Sequence, residues 1–263
     1  MLADRAVLAV AAVLATAGLL ACAAARADDV PDGIWHSNGG AALTIASGNT
    51  NSENLNVNFD TKFLVEQYKW TYYGQALYGR TKANDVYSTT ANLVRAGGRY
   101  DRNLTLEVYA FGGLDFERDT TRQLLLRSVA SAGLGTALLK TDTISWTVFG
   151  GGTYKIDHYG EAGVPINGVL RTEYNSPEVT IGEESTHKLS QTSTFTQRLA
   201  AFRDVRSGGS QRANFDSKLA VAITKRINLT VSLQDRYDGV ARSPVRSNDI
   251  LFMTGISAKF DSE

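Results

Sequence analysis

Chemistry at neutral pH would have to start from the three histidines, His36, His158 and His187. None belongs to an H-E-x-x-H motif, and no cysteines and histidines cluster at the spacing of metal ligands. His187 lies near Ser185 and Ser190, but no strand–turn–helix elbow presents either serine as a nucleophile. We therefore expect solvated or interfacial histidines, no cofactor and no enzymatic activity. A lipid-acting enzyme that uses His187 is the weaker alternative.

Three carboxylates, Asp115, Glu117 and Asp119, stand at alternate positions. Such oxygen ligands suit calcium or magnesium, but a solvated rim is the simpler interpretation and we predict no metal site. The run from Gly150 to Lys155 lacks the spacing of a phosphate-binding loop, and no helix follows it. We expect these glycines to lie within a strand.

The remaining candidates are charged side chains that alternate with apolar ones. They predict one polar face, directed into a lumen: Asp60, Lys62, Glu107, Asp115, Arg127, Lys155, Asp157, Arg198, Asp216, Lys218 and Arg236. Mixed charges on facing strands can pair and fill a narrow barrel, or they can line an aqueous path. The sequence leaves both arrangements open.

The stretch from Gly48 to Val65 shows the element that positions these residues. Leu55, Val57 and Phe59 alternate with polar residues, and Leu64 alone breaks the pattern on the polar side. A period of two predicts a strand with one apolar face. The pattern persists for about twice the usual strand length of five or six residues, which is typical of a strand that crosses a bilayer at a tilt.

Composition narrows the classes of function. The 263 residues carry 27 Lys plus Arg and 27 Asp plus Glu, and this balance argues against nucleic acid as a partner, which needs a basic surface. Glycine is frequent at 24 and proline rare at 4. The chain has 11 tyrosines and 10 phenylalanines, which favour strands.

The N-terminal segment predicts export. An apolar run, Ala6–Ala21, precedes the A-x-A-like site Ala25–Ala27, which is typical of a cleaved signal peptide. We predict a signal peptide over residues 1–27 and one domain over residues 28–263. In the alternative interpretation, Cys22 is a lipid anchor. If cleavage follows Ala27, no cysteine remains.

Alternation and turn residues predict an all-β chain, a single antiparallel transmembrane barrel of about twelve strands, with ten to fourteen possible. The clearest alternation, Leu104–Glu117, predicts the fifth strand, after a turn at Asp101–Asn103. Tyr159–Asn175 has no clear period and predicts a long external loop. The strand count depends on the weakly patterned region from Gly160 to Leu189.

Three tryptophans support the membrane interpretation. Trp35, Trp70 and Trp146 would begin the first, third and seventh strands, in phase with the apolar face. Tryptophan prefers the membrane interface because its ring is apolar and its N–H needs a polar partner. We therefore predict that all three anchor one end of the barrel at the periplasmic interface.

A set of short motifs is spread along the chain: Trp35 with Ser47–Asn51, Arg95 with Tyr100, Gly133–Gly135, Glu183–Leu189, Tyr237-Asp238 and Asn248-Asp249. In these motifs the chain resembles the DUF481 family of Gram-negative outer-membrane proteins, which includes salt-induced members. The resemblance covers nearly all of the predicted mature chain. It implies a barrel in the outer membrane, with outer-membrane lipid and the barrel-assembly machinery as partners, and it implies no chemical activity.

Two functions follow from these observations. The resemblance implies a role in the envelope or in osmotic stress. The charged inner face instead predicts a narrow channel for small solutes or ions. A soluble periplasmic β-protein is a further alternative, and its mobility in unheated detergent gels would distinguish it from a barrel.

Overall fold

A computed structural model describes residues 32–46, 51–83, 86–166, 168–206, 209–239 and 247–261. The predicted signal peptide and Cys22 lie outside these ranges. No helix in the described part of the chain is long and apolar enough to cross a membrane.

Twelve long strands form a closed antiparallel barrel, as the sequence predicts. These are β1 Trp35–Ala46, β2 Asn51–Leu64, β3 Tyr68–Ala83, β4 Val86–Asn103, β5 Val108–Asp119, β6 Leu124–Lys140, β7 Ile144–Tyr159, β10 Glu173–Lys188, β11 Ser193–Asp204, β12 Gln211–Ala222, β13 Ile227–Asp238 and β14 Asn248–Asp261. A separate hairpin, β8 Val164–Ile166 and β9 Val169–Arg171, interrupts the series between β7 and β10.

Each barrel strand pairs with its neighbours in sequence, and β7 pairs with β10 across the hairpin. The ring closes where β1 meets β14, in the register from His36–Asp261 to Ala41–Ile256. We call this pairing the seam. It is shorter than the pairing of β1 with β2, which continues from Trp35–Phe63 to Ala46–Ser52. Closure leaves the sheet without a free edge strand.

The alternation of each strand sorts its side chains between the two faces of the wall. On β2, Leu55, Val57 and Phe59 are 44–47% exposed on the outside, whereas Asn56 is 6% exposed on the inside. This inversion of the soluble pattern, with apolar residues outside and polar ones inside, is the pattern of a transmembrane barrel.

One predicted strand boundary is wrong. Residues 101–103 end β4, and the turn lies at residues 104–107, so β5 begins at Val108 rather than Leu104. The Oγ1 of Thr105 accepts from the backbone N–H groups of Glu107 and Val108 at 3.3 and 3.0 Å. This local side-chain bond stabilises a turn within a sequence that still alternates.

The two ends of the barrel differ. At the end we call the short-turn end, residues 65–67, 104–107, 141–143, 189–192 and 223–226 connect the strands. The opposite end, the loop end, holds a short 3₁₀ helix at Thr120–Arg122 and the hairpin β8–β9. The predicted external loop therefore contains regular structure, and β10 begins within it, at Glu173.

The hairpin packs into the mouth of the barrel. Ile166 is 4% exposed and contacts Leu124, Tyr159 and Tyr174, which lie at the loop ends of three neighbouring strands. The opposite side of the hairpin presents Leu170, which is 68% exposed. The loop end of the β6–β7–β10 wall is thereby covered.

Candidate functional site: the charged lumen

A cavity of about 900 Å³ occupies the barrel interior. Nine basic side chains line it: Lys69, Arg95, Arg99, Arg122, Arg127, Arg198, Arg212, Lys218 and Arg236. Nine acidic side chains line it as well: Asp60, Asp101, Asp115, Glu117, Asp119, Glu184, Asp216, Asp238 and Asp249. The lining is therefore strongly charged but close to neutral overall.

Aromatic rings lie against one wall of the lumen where glycines leave room for them. Phe111 and Phe149 meet edge to face, with ring centroids 5.7 Å apart. A Cβ on Gly133 would lie 2.8 Å from the Phe111 ring and close to the backbone carbonyl of Gly150. A Cβ on Gly182 would likewise clash with the Phe149 ring. The glycines keep the rings close to the wall, so the lumen is not filled by them.

Two arginines lie over these rings. The Arg99 guanidinium is 4.4 Å from the Phe111 centroid, and Arg198 is 5.6 Å from that of Phe149. Glu184 joins them by accepting from Arg99 Nη1 at 2.9 Å and from Arg198 Nε at 3.0 Å. Stacking and charge-assisted bonds therefore fix both cations in the lumen.

A second cluster lies beneath the hairpin, near the loop end. Arg127 donates two bonds to Asp157, at 2.7 and 3.0 Å, and one to Asp238 at 2.8 Å. Lys155 Nζ lies 3.3 Å from Asp157 and 3.5 Å from Glu178. Lys155 and Asp157 are fully buried. Burial of this kind is tolerated only because each charge faces an opposite one.

The cluster extends to the turn that follows β11. Asp204 accepts from the hydroxyl of Tyr174 at 2.7 Å and from Arg206 Nη2 at 2.6 Å. The hydrogen bond to Asp204 raises the pKa of the Arg206 guanidinium. Tyr174 also contacts Ile166 of the hairpin, so the hairpin rests on the charged cluster through this ring.

Several charged and polar pairs cross the lumen. Arg95 on β4 lies 3.8 Å from Asp216 on β12, six strands away around the ring. Lys218 lies 3.7 Å from Asp60. Arg122 and Asp249 approach to 2.9 Å at the mouth. These pairs narrow the lumen without closing the cavity.

The structure places ten of the eleven predicted lumen residues on the inner face of the barrel strands. Asp60, Asp115, Arg127, Arg198, Asp216, Lys218 and Arg236 line the cavity, Lys155 and Asp157 form the buried cluster, and Lys62 shares the inner face of β2, opposite His36. Glu107 is the exception. It is exposed in the turn between β4 and β5, so its assignment to the lumen is wrong.

Sequence reasoning missed inner residues on β4 and β10. Arg95, Arg99 and Asp101 alternate on β4, and Glu178 and Glu184 face inwards on β10. The spacing of these charges was the available signal. It was obscured because the outer positions include Ala96 and Gly98 on β4 and Asn175, Glu183 and Ser185 on β10, so neither outer face is evenly apolar.

The predicted anchors, Trp35, Trp70 and Trp146, all lie at the short-turn end and are 36–37% exposed. Trp146 Nε1 donates to Glu183 at 2.8 Å, and Gln197 Nε2 donates to the other oxygen of that carboxylate at 2.7 Å. Glu183 is a charged residue on the outer face of β10, yet it is 7% exposed. Its neighbours therefore shield it from lipid.

The carboxylates considered for a cation have other partners. Asp115 accepts from the Tyr73 hydroxyl at 2.6 Å, Glu117 lies 3.8 Å from Arg127, and Asp119 accepts from the backbone N–H of Thr121. Within the described ranges, no three His, Cys, Asp or Glu residues are arranged to hold a metal ion.

The histidines do not converge either. His36 lies 2.9 Å from Asp32, His158 lies 3.7 Å from Glu173, and His187 contacts the ring of Phe195.

A closed antiparallel barrel, apolar outside and charged inside, defines a transmembrane β-barrel protein. A family model matches residues 39–260, and the chain belongs to that family, DUF481, a protein family of unknown function. No curated protein matches the chain significantly.

Two solved structures match the chain at low identity. The translocator domain of the autotransporter NalP from Neisseria meningitidis is 12% identical, with a TM-score of 0.46 over 89% of this chain and 90% of that one. An outer-membrane channel from Pseudomonas putida F1 is 9% identical, with a TM-score of 0.48 over 91% of this chain and all of that one.

Proposed function

We propose that this protein is a narrow channel for small polar solutes and ions in the outer membrane of a Gram-negative bacterium. The observation that carries the proposal is the cavity of about 900 Å³ inside a closed barrel, lined by charged side chains. A lumen built only to stabilise the wall needs no such volume. Polar walls replace part of a solute's hydration shell and thereby lower the cost of entry.

The outer face supports the membrane location. Apolar side chains such as Leu114, Phe116, Ile181, Phe252 and Ile256 are each about half exposed or more on the outside of the barrel. In water this surface would favour aggregation, whereas in a bilayer it contacts acyl chains. Closure at the seam pairs the first strand with the last, as membrane-spanning sheets require.

The pairs that cross the lumen support a narrow channel rather than a wide pore. Arg95 with Asp216 and Lys218 with Asp60 connect opposite walls, so a large solute would have to break them. Twelve strands also place the barrel between small barrels filled by side chains and porins with sixteen or more strands. We expect small, discrete conductance steps.

Planar-bilayer recording of the purified, folded protein tests the proposal. Folding is checked first by the change in gel mobility on boiling. Reproducible steps in potassium chloride support a channel. Silence at all voltages and salt concentrations, from protein that passes the folding check, would overturn it.

The envelope-stress role, the contacts with outer-membrane lipid and the use of the barrel-assembly machinery stay predictions from the family resemblance. A lipid-acting enzyme requires His187, so loss of a measured lipid hydrolysis on His187→Ala is the observation that would favour that alternative.

A further inference from the structure

The charges of the lumen differ in how accessible they are. In the cluster beneath the hairpin, Arg127 and Asp157 are 10% and 0% exposed and lie 2.7 Å apart. By contrast, Lys218 and Asp60 are 38% and 44% exposed and lie 3.7 Å apart. Both members of the second pair are therefore open to a solute in the cavity, whereas in the first pair only the edge of Arg127 borders the cavity and Asp157 is covered.

A second, less accessible contact across the lumen lies beside it. Asp216 is 35% exposed; it accepts from Arg236 of the neighbouring strand at 2.5 Å and lies 3.8 Å from Arg95, which is 16% exposed. Asp216 and Lys218 are two residues apart on the inner face of β12, about 7 Å along the strand. One wall thus carries an anion next to a cation, and the facing walls carry the opposite charges, Arg95 and Asp60.

We infer that the channel favours small zwitterions, molecules that carry one positive and one negative charge, over neutral molecules of the same size. This inference rests on the proposed channel function and names its solute class. A zwitterion that enters between Lys218 and Asp60 offers a carboxylate to the lysine and an ammonium group to the aspartate. Both lumen charges then keep an opposite partner.

Other small solutes lack this compensation. A neutral molecule separates the two lumen charges without replacing either one. A simple ion satisfies one of them and leaves the other without its partner, which costs free energy. The pairs are also loose enough to re-form after the solute leaves, as conduction requires.

Alanine and lactamide provide a matched pair of probes because they are isomers, one zwitterionic and one neutral. Proteoliposomes containing the folded protein are mixed with a hyperosmotic solution of either probe, and the rate of re-swelling is measured. We expect alanine to enter at least as fast as lactamide, although its charges make it the more strongly hydrated molecule.

The double variant Asp60→Asn/Lys218→Gln removes one accessible pair and keeps polar side chains in the lumen. We expect the ratio of the alanine rate to the lactamide rate to fall roughly threefold, the effect of losing one partly exposed ion pair. Arg95→Gln should lower the ratio as well. Glu107→Gln, in the turn outside the lumen, is the control and should leave it unchanged.

The outcomes separate the inference from the proposed function. If lactamide enters and potassium chloride conducts, but alanine enters more slowly and its ratio is the same in the double variant, the zwitterion preference is overturned and the channel stands. If neither probe enters and no current flows through folded protein, the channel itself is overturned.

Discussion

Arg127 on β6 reaches across the lumen to Asp238 on β13, with Nη2 and Oδ2 2.8 Å apart, while it holds Asp157 on β7 through two further bonds. β6 and β13 are five strands apart around the ring. One side chain therefore connects nearly opposite walls at the loop end.

Replacing Arg127 with methionine should destabilise the barrel strongly. Asp157 is fully buried and would lose its principal partner, and breaking a buried pair in this way costs about 3–5 kcal/mol. Urea unfolding in detergent, followed by gel mobility, measures the change. Arg226→Met, in an exposed turn, is the control, and equal stability of the two variants would contradict the role of Arg127.

Substitution of Gly133 tests whether glycine is needed to leave room for the Phe111 ring. A Cβ in Gly133→Ala would press on the Phe111 ring and on the backbone of Gly150 and Gly151, so we expect a loss of about 1–3 kcal/mol from overpacking. Gly74→Ala is the matched control, because a Cβ at that outer position meets no atom within 4 Å. The same thermal or urea unfolding compares the two, and an unaffected Gly133→Ala protein would contradict this packing.

Trp146→Phe should cost more stability than Trp70→Phe. Both indoles are similarly exposed at the short-turn end. Trp146 donates its N–H to the shielded carboxylate of Glu183, whereas the Trp70 ring packs against Tyr72 and Tyr100. Leaving a polar group partly unsatisfied costs about 1–3 kcal/mol. Unfolding of each variant in detergent provides the comparison, and equal losses would show that the bond to Glu183 contributes little.

Lys218→Glu should make the channel more selective for cations. The change places a third carboxylate beside Asp60 and Asp216 and removes their basic neighbour. A unit charge about 4 Å from an ion in water is worth roughly 1 kcal/mol, or about fivefold in permeability ratio. The reversal potential in a potassium chloride gradient measures it. Arg226→Glu, in a turn, should produce a smaller shift, and equal shifts would count against the lumen position.

The seam can be tested with cysteines at register partners. Gly39 and Ala258 face each other across β1 and β14, so a Gly39→Cys/Ala258→Cys protein should form a disulfide on oxidation and keep the ring closed after boiling in detergent. Gly39→Cys/Thr254→Cys is the control because its second cysteine lies four residues out of register. Cross-linking of the control alone would refute the register.

The fold was predictable wherever alternation was clean. Leu55, Val57 and Phe59 lie in the predicted strand, β2, and Leu229, Val231 and Leu233 alternate in the same way on β13. The end of β4 was not predictable in this way. Leu104 and Leu106 continue the alternation, but that segment forms a turn, which the side chain of Thr105 and the backbone bonds of residues 104 and 105 to the Val108 carbonyl stabilise.

The residues on the inner face were predictable from the sequence, but the ion pairs between them were not. Lys155 and Asp157 were identified by their phase, which depends only on the strand. The contact between Arg127 and Asp238 was not predictable, because β6 and β13 face each other only through closure of the whole ring. The two-residue repeat of a strand specifies the face on which each side chain lies. The ion pairs that cross the lumen depend on how many strands close the ring.

The seam also sets the order in which the strands can pair during biogenesis. Because β1 pairs with β14, the N-terminal strand must wait for the last strand to be delivered before it gains its second neighbour. A shorter chain, such as one released early by the ribosome, would leave two unpaired edge strands that can pair with other chains. We therefore expect the ring to close, and its edge strands to be covered, only after the last strand has been synthesised.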